Sequence, residues 1–174
     1  TLYKMTKYGL FNQMVEEEIE GWDLDRCDEF IKDWYRLYPE VKDWQEETIA
    51  YARRKGYVRD MFGRRRYIPE LLCPIRRIKS EGERNAINMP VQSSAAGILK
   101  LAMVEIRRFM ESDPTDDWSD VRWLLQVHDE LIWEALARLA DGVGDRVSGI
   151  MEQVVSLSVP TPVDVSIGTD WASL

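Results

Sequence analysis

The sequence is poor in the residues that build disulfide frameworks and metal clusters, since its 174 residues include two cysteines and one histidine. Cys27 and Cys73 cannot form a disulfide framework. Together with a single histidine they are also too few for a plausible zinc site. The composition therefore predicts that both cysteines are core thiols in a reducing compartment.

Long apolar runs are missing as well. No segment approaches the roughly 20 apolar residues that a membrane-spanning helix needs, and no signal-peptide pattern is present. Hydrophobic residues make up 45% of the chain and charged residues 31%, which is typical of a folded globular protein and not of a disordered one. We expect one good core, or one core and a smaller lobe, with no membrane partner.

The charge is distributed unevenly along the chain. A net charge of −8 argues at first against a nucleic-acid partner, but residues 52–84 carry eleven basic and four acidic side chains. That segment therefore has a net charge of +7, and the rest of the chain has −15. A concentrated basic strip on an acidic protein favours a directed contact with a polyanion. A solvated basic face is the alternative interpretation.

Capping residues and periodicity predict three helices at the start of the chain. Residues 1–20 are typical of a mostly helical segment, and Asp23 or Asp25 can cap a second helix. Pro39 opens a third helix, which ends before Gly56.

The remaining two thirds are predicted to mix short strands with helices. Two short strands are expected around a turn that contains Gly63, followed by a long helix from about Glu81 to Met110 and a loop at 113–117. A hairpin around His128 comes next, then a helix at about 136–157 and a strand at 163–167. Pro90 should kink the long helix or remove its first turn.

The hairpin has an unusual turn. Two bulky apolar runs, 123–125 and 131–133, are typical of strands, and they meet at His128 and Asp129. Two-residue turns prefer Asn-Gly or Asp-Gly, because both positions need positive φ. A poor local choice indicates function, and an exposed Asp129 beside Glu130 is suited to holding a divalent cation. An ordinary solvated turn is the alternative.

A polar stripe is predicted on the long helix. Arg84, Asn88 and Gln92 are four residues apart, so they share one helix face. A solvated face more often carries Lys and Glu than Asn and Gln. Neutral amides with an arginine fit the minor groove of DNA, where every correct base pair offers an acceptor at a similar position. Such a stripe would test base-pair shape without reading sequence.

Three arginines follow the turn glycine Gly63. Arginine makes bidentate contacts with phosphate. Successive strand side chains face opposite ways, so the three cannot all grip one DNA backbone. We expect one or two of them, with Arg64 and Arg65 as the candidates, to bind DNA, and another to form an internal ion pair.

Four blocks in order resemble the C-terminal part of the family A DNA polymerases, the family of bacterial DNA polymerase I. The blocks are Tyr3 with Met5–Leu10, Gly56–Val58 with Gly63–Pro69, the set Arg84, Asn88, Pro90, Gln92 and Lys100, and Gln126–Leu131. The tail at 159–171 is also similar to the end of that family. The resemblance covers essentially the whole chain.

The resemblance implies an α/β fold of the α+β kind, and an activity. Residues 1–55 would be the C-terminal part of a helical fingers lobe, and residues 56–174 the C-terminal part of a palm whose antiparallel sheet carries helices on one face. The activity implied is template-directed DNA synthesis with two Mg²⁺ ions. Its partners would be primer-template DNA and deoxynucleoside triphosphates, in the bacterial cytoplasm, either nucleoid-associated or phage-encoded.

The resemblance also implies roles for individual residues. Asp129 would be the metal-binding carboxylate, and His128 would contact the primer end. Glu130, expected on the opposite strand face, would act beside the metal ligand or on the primer side. Tyr3 would lie near the templating base.

The chain departs from the family pattern in ways that matter. Lys4 and Ser93 stand where the family usually has Gly, and Gly97 stands where it usually has Asp. The family's other catalytic Asp and its triphosphate-binding residues belong to positions earlier than Thr1. The resemblance therefore predicts half of an active site, inactive without an N-terminal half.

Several other origins stay open. The chain can be a non-catalytic DNA-binding or assembly module, or an excised fragment of an ordinary polymerase. A split gene would also explain it, and Thr1 is compatible with the residue that follows a protein-splicing element.

Overall fold

The computed structural model describes residues 5–113 and 117–173. Tyr3 and part of the predicted loop at 113–117 lie outside the described residues. The chain divides into two compact units, Thr1–Ser94 and Ala95–Leu174. The boundary predicted after residue 55 separates a fingers part from a palm part of a polymerase. The two compact units do not test that boundary, so it stays a prediction.

Three helices begin the first unit: α1 (Lys7–Glu16), α2 (Leu24–Leu37) and α3 (Pro39–Lys55). The Asp23 side chain accepts a hydrogen bond of 2.7 Å from the Arg26 amide, which satisfies a free N–H at the start of α2. Pro39 opens α3, and Gly56 ends it in the left-handed region with φ of 77°. The predictions for α2 and α3 are confirmed, whereas α1 is shorter than residues 1–20.

A small hairpin follows, formed by β1 (Tyr57–Arg59) and β2 (Arg65–Tyr67) and then a 3₁₀ helix at Pro69–Leu72. The strands are antiparallel and pair Val58 with Arg66. Val58 faces inward and joins the core of this unit. The members of that core are Ala52, Val58, Ile68, Leu71, Ala86 and Met89.

The long helix α4 (Arg76–Ser112) starts five residues earlier than predicted and runs through Pro90 without ending. Proline removes one helical hydrogen bond, but Ala86, Ile87 and Met89 are buried beside it, and this packing outweighs the local defect. The helix passes the division between the two units. In the described part of the chain no helix, including this one, is long and apolar enough to cross a membrane.

The second unit contains the hairpin of β3 (Arg122–Val127) and β4 (Glu130–Glu134), followed by α5 (Ala140–Gln153). Its core combines Ala102 and Ile106 of α4 with Val147 of α5. Leu131 and Trp133 of β4 pack against this cluster, so helices cover one face of the hairpin. The α+β class is confirmed, with two separate two-stranded antiparallel sheets in the described residues.

Three predictions for local structure are wrong. Residues 163–167 have no ladder partner among the described residues and form no strand, because alternation alone cannot make a strand without a neighbour to pair with. The helix predicted at 136–157 is shorter, since a 3₁₀ turn occupies Ala137–Leu139 and α5 ends at Gln153. Cys27 is a buried core thiol as predicted, but Cys73 is only partly buried.

Gly82 allows the close approach of α4 to the 3₁₀ helix. A Cβ at residue 82 would lie 2.9 Å from the Glu70 Cβ and 3.0 Å from the Leu71 amide nitrogen. Replacing a helical glycine by alanine ordinarily stabilises by about 1 kcal/mol. Here the overlap would displace the backbone of core Leu71, so we expect Gly82→Ala to lower the free energy of unfolding by about 1–3 kcal/mol. Urea denaturation would measure the change.

Gly149 provides the matched control. It also lies inside a helix, α5, but a Cβ there would meet no heavy atom within 4 Å. Gly149→Ala should therefore raise the free energy of unfolding by about 1 kcal/mol. Equal effects of the two substitutions would contradict the close packing at Gly82.

Candidate functional site

The tip of the β3–β4 hairpin is a two-residue turn in which Val127 pairs with Glu130 and His128 and Asp129 occupy the centre. His128 has a φ of 51°, and among the described non-glycine residues only Glu18 shares this property. The prediction that both central positions need positive φ is wrong, since only the first one has it. A positive φ at the first position alone is characteristic of the type II′ turn, where glycine is preferred. A histidine there stores strain of about 1–3 kcal/mol, which is typical of functional sites.

The turn presents its polar side chains to solvent. His128, Asp129 and Glu130 are all exposed. The Gln126 side-chain amide donates a hydrogen bond of 2.6 Å to the His128 carbonyl oxygen, which braces the turn from the adjoining strand. No ion pair with a described residue occupies the Asp129 carboxylate. This carboxylate is therefore available to a ligand from outside.

The donor set at the turn fits part of a magnesium site. In residues 5–113 and 117–173 no group of three His, Cys, Asp or Glu side chains is placed to hold a metal ion. Magnesium, however, usually takes only one or two protein carboxylates and completes its shell with water and substrate phosphates. Asp129, with Glu130 beside it, offers oxygen ligands of that kind.

A β-bulge lies further down the same hairpin. Trp123 pairs with Trp133, but Leu125 pairs with Ile132, so Leu124 is an extra residue in β3. Bulges increase the local twist and are common beside functional sites. The stacked rings of Trp123 and Trp133, with centroids 5.0 Å apart, fix the strands just before it. The tip of the hairpin thus extends from a pair of strands that is held together by these two tryptophans.

The strand argument about Glu130 needs a correction. Alternation predicted opposite faces for Asp129 and Glu130, but Asp129 is a turn residue and the alternation of a strand does not extend to it. Glu130 is the first residue of β4 and pairs with Val127 in the ladder. Different roles for the two carboxylates remain a prediction. The reason for it is now that Asp129 lies in the turn and Glu130 in the strand ladder.

The polar stripe occupies one continuous helix in the first unit, as the spacing predicts. Arg84 and Gln92 are exposed, and Asn88 is partly buried. The Asn88 Oδ1 is buried without a hydrogen-bond partner, and such an unsatisfied acceptor is energetically costly. The opposite side of the helix contributes Ala86 and Met89 to the core. The structure thus leaves Arg84 and Gln92 open to solvent, while Asn88 between them is turned partly inward.

The buried carboxylate of Asp60 connects the β1–β2 turn to the helix. Its side chain is fully shielded from solvent, while the Arg64 side chain that pairs with it at 3.0 Å is 45% exposed. The amides of Phe62 and Arg64 donate to Asp60 Oδ1 at 3.0 and 2.9 Å, and the Ser93 hydroxyl donates to Oδ2 at 2.6 Å. An internal ion pair was expected of an arginine other than the DNA-binding candidates Arg64 and Arg65, but it is formed by Arg64.

The environment of Asp60 determines its protonation. Desolvation raises the pKa of this carboxyl, but the hydrogen bonds from Ser93, Arg64 and Phe62, together with the charge of Arg64, outweigh it and leave the pKa below its ordinary value. The carboxylate is therefore ionised at neutral pH. A buried charge is tolerated here because each oxygen has its own donors.

Ser94 makes a second connection between the turn and α4. Its hydroxyl accepts a hydrogen bond of 3.0 Å from the Met61 amide and donates one of 2.5 Å to the Pro90 carbonyl oxygen. The sequence argument missed this cluster. Its one signal was Ser93, noted only as a departure from a family pattern, whereas Asp60 was simply one of four acids in the basic strip.

Comparison with known proteins assigns the whole chain to one group. The sequence profile described as "DNA polymerase family A" matches residues 1–173. A thermostable DNA polymerase I of Thermus thermophilus is 42% identical over 173 residues, which cover 98% of this chain and 20% of that protein. The thermostable DNA polymerase I of Thermus aquaticus is 39% identical over 166 residues, 95% of this chain and 19% of that protein.

A solved structure agrees with the sequence matches. The polymerase domain of Pol1 from M. smegmatis, in complex with DNA primer-template and dNTP, superimposes with a TM-score of 0.84 at 31% identity. The likeness covers 99% of this chain and 29% of that one. The chain thus spans about a fifth of the length of the two Thermus relatives.

Removal of the Asp60 carboxylate should destabilise the protein in a pH-dependent way. Asp60→Ala leaves buried amides without an acceptor, and we expect a loss of about 3 kcal/mol of unfolding free energy, the lower end for a broken buried ion pair because Arg64 can rehydrate. Since the folded pKa is depressed, this contribution is present above the unfolded pKa of about 4. It is lost as the pH falls through the lower folded value.

Urea denaturation of both proteins at several pH values would test this. The difference between wild type and Asp60→Ala should be constant near neutral pH and shrink below about pH 4. Asp28→Ala is the control, because this exposed carboxylate pairs only with Lys32 at the surface and should have much less effect. A pH-independent difference would contradict the ionised state of Asp60.

Proposed function

This chain belongs to DNA polymerase family A, and we propose that it supplies the C-terminal part of a template-directed DNA polymerase site. The observation that carries the proposal is the exposed Asp129 carboxylate at a strained turn. Nucleotidyl transfer needs a carboxylate held in a fixed position while charged phosphates move past it. A two-residue turn on a braced hairpin meets that need, because Val127 and Glu130 on either side of the turn are paired in the ladder.

The hairpin residues divide the chemical work. Asp129 is the ligand for Mg²⁺, and Glu130 lies beside it in the ladder. When bound, two Mg²⁺ ions would activate the primer 3′-hydroxyl and stabilise the leaving pyrophosphate. His128 orients the primer end through a hydrogen bond from its exposed ring.

The DNA contacts come from the first unit. Arg84, Asn88 and Gln92 lie along the minor groove of the primer-template duplex, and Arg64 and Arg65 bind phosphates. A guanidinium has five N–H donors, so the ion pair with Asp60 leaves Arg64 able to contact a phosphate through its exposed part. Tyr3, proposed near the templating base, lies outside the described residues.

An N-terminal polymerase half is the proposed protein partner. The exposed large apolar side chains of the second unit include five in β3 and the C-terminal segment that are 44% to 58% exposed. They are Leu124, Leu125, Val165, Ile167 and Trp171. Residues 163–167 also have no ladder partner in the described chain. Exposed apolar surface next to unpaired backbone is typical of a docking site for further chain.

A non-catalytic DNA-binding or assembly module is the second candidate. The polar stripe and the basic strip favour it, since contacts between their side chains and DNA need no metal. Both functions involve DNA, and both place the protein in the cytoplasm. They differ in whether the completed assembly transfers nucleotides.

The chain alone should make no DNA. One carboxylate supplies only part of the charge stabilisation that two-metal transfer requires, so purified chain with Mg²⁺, a primer-template and dNTPs should give no extension on a sequencing gel. Adding the matching upstream part of the polymerase should restore extension. Extension by the chain alone would refute the division of the site, and an inactive but assembled complex would favour the second candidate.

The two hairpin carboxylates should differ in the assembled enzyme. Asp129→Ala removes a metal ligand, so we expect the single-turnover incorporation rate to fall by about a thousandfold or more with little change in DNA affinity. Glu130→Ala should have a much smaller effect, because Glu130 is held in the ladder opposite Val127. Rapid-quench kinetics would measure both.

An exposed acid of the same unit serves as the control for these kinetics. Asp120 lies 3.8 Å from Arg138, away from the turn in sequence, and Asp120→Ala should leave the rate unchanged. A Glu130 defect as large as that of Asp129 would show that the metal ligand is wrongly assigned.

A further inference from the structure

The β1–β2 hairpin presents a face that none of the proposed roles uses in full. Val58 points into the core and is 1% exposed, so the residues on either side of it point outward. The pairs on this outer face are Tyr57 with Tyr67 and Arg59 with Arg65. Its polar and aromatic composition shows that it is not a core surface.

The end of α3 enlarges this surface. Tyr51 meets Tyr57 edge-on with ring centroids 5.9 Å apart, and the Arg54 guanidinium lies 5.9 Å from the centre of the Tyr51 ring. Together these six residues form what we name the Tyr–Arg face. Its members are Tyr51, Arg54, Tyr57, Arg59, Arg65 and Tyr67.

The Tyr57 ring is shared by two cations. Arg65 and Arg59 have their guanidinium carbons 5.0 and 5.3 Å from its centroid, and Arg59 also donates a hydrogen bond of 3.0 Å to the Tyr57 hydroxyl. The pKa of Tyr57 is lowered, first by the hydrogen bond with Tyr51 and then by the charges of Arg59 and Arg65. The face therefore carries a positive field.

This positive charge is not neutralised within the described chain. Arg59 and Arg65 stand directly opposite each other, and like charges in this arrangement destabilise a strand pair. Neither forms an ion pair with a described carboxylate, whereas the neighbouring Arg53 pairs with Glu83 and Arg64 with Asp60. An anion bound between the two guanidinium groups would relieve the repulsion. The face is thus suited to phosphate.

Tyr67 adds a stacking surface beside the cations. Its ring centroid lies 5.7 Å from that of Tyr57, and because Tyr67 is 66% exposed, much of its ring surface is open to solvent. Bases stack on such rings in proteins that bind single strands. In a duplex both faces of each base are already covered by neighbours, so this ring selects an unpaired base.

We propose that the Tyr–Arg face binds single-stranded DNA, with phosphates on Arg59 and Arg65 and an unpaired base stacked on Tyr67. The site shares Arg65 with the proposed duplex contacts but uses neither the stripe on α4 nor Asp129. The choice of DNA rests on the proposed function, because the same contacts can hold an RNA strand. The binding itself needs no metal and no nucleotide transfer.

Fluorescence anisotropy with the full chain in EDTA would test the site. The probe is a labelled oligothymidine of about 15 nucleotides, titrated at several salt concentrations. Tyr67→Ala should weaken binding by about 5- to 150-fold, the range for one lost stacking platform. Tyr67→Phe keeps the ring and should bind nearly as wild type. Arg59→Ala and Arg65→Ala should each reduce the slope of log affinity against log salt by about 0.7.

Two matched substitutions separate the face from general surface effects. Tyr8 is 62% exposed and has the Lys7 ammonium 5.9 Å from its ring centre, so Tyr8→Ala removes a similar tyrosine outside the face. Arg36→Ala removes an exposed arginine of α2. Both variants should bind the oligonucleotide as wild type does. Circular dichroism would confirm that every variant is folded.

Several results would overturn the proposal. Tyr67→Ala binding as tightly as wild type would do so, as would a loss of equal size in Tyr67→Phe or in Tyr8→Ala. A blunt duplex or polyglutamate that competes as well as the single strand would show a different occupant. Tenfold tighter binding of oligouridine would overturn the assignment to DNA. None of these results bears on primer extension, so the proposed polymerase role would stand or fall separately.

Discussion

The buried charge of Asp60 determines how the basic hairpin is attached to the polar helix. Without its donors, a carboxylate shielded from water would be strongly destabilising. Two backbone amides, the Ser93 hydroxyl and the Arg64 guanidinium supply those donors. Because Ser93 directly follows Gln92 on α4, the same carboxylate that shapes the turn also fixes the hairpin beside the end of the stripe.

This attachment determines which arginines are available to a ligand. Arg64 is partly committed to Asp60 and Arg53 to Glu83, while Arg59 and Arg65 face each other without a described acid. Ser93 stands where the family resemblance leads one to expect glycine, which has no hydroxyl to donate. The hydrogen bond from Ser93 to Asp60 therefore depends on the serine at this position.

Sequence reasoning succeeded where local chemistry decides the structure. Asp23, Pro39 and Gly56 mark helix ends because capping involves only neighbouring residues. It failed where the outcome depends on distant partners. Residues 163–167 alternate like a strand but have no described strand beside them. Asp60 was overlooked for the same reason, since nothing in the sequence shows that a carboxylate in a basic strip is buried. The hairpin turn was predicted only in part. Its position at His128 and Asp129 was predicted correctly, but the prediction treated Asp129 as a strand residue, whereas it belongs to the turn.

The contrast in charge between the two units supports the proposal that Asp129 acts on DNA through a cation. Residues 95–174 carry fourteen acidic and six basic side chains, whereas the basic strip at 52–84 lies entirely in the first unit. An acidic unit repels phosphates, and the repulsion is strongest at an exposed carboxylate such as Asp129. A divalent cation between carboxylate and phosphate turns that repulsion into attraction, while the first unit can hold DNA by arginine alone. On this argument DNA affinity and catalysis depend on different residues, so substitutions in the basic strip should alter binding and those at the hairpin turn should alter the chemical step.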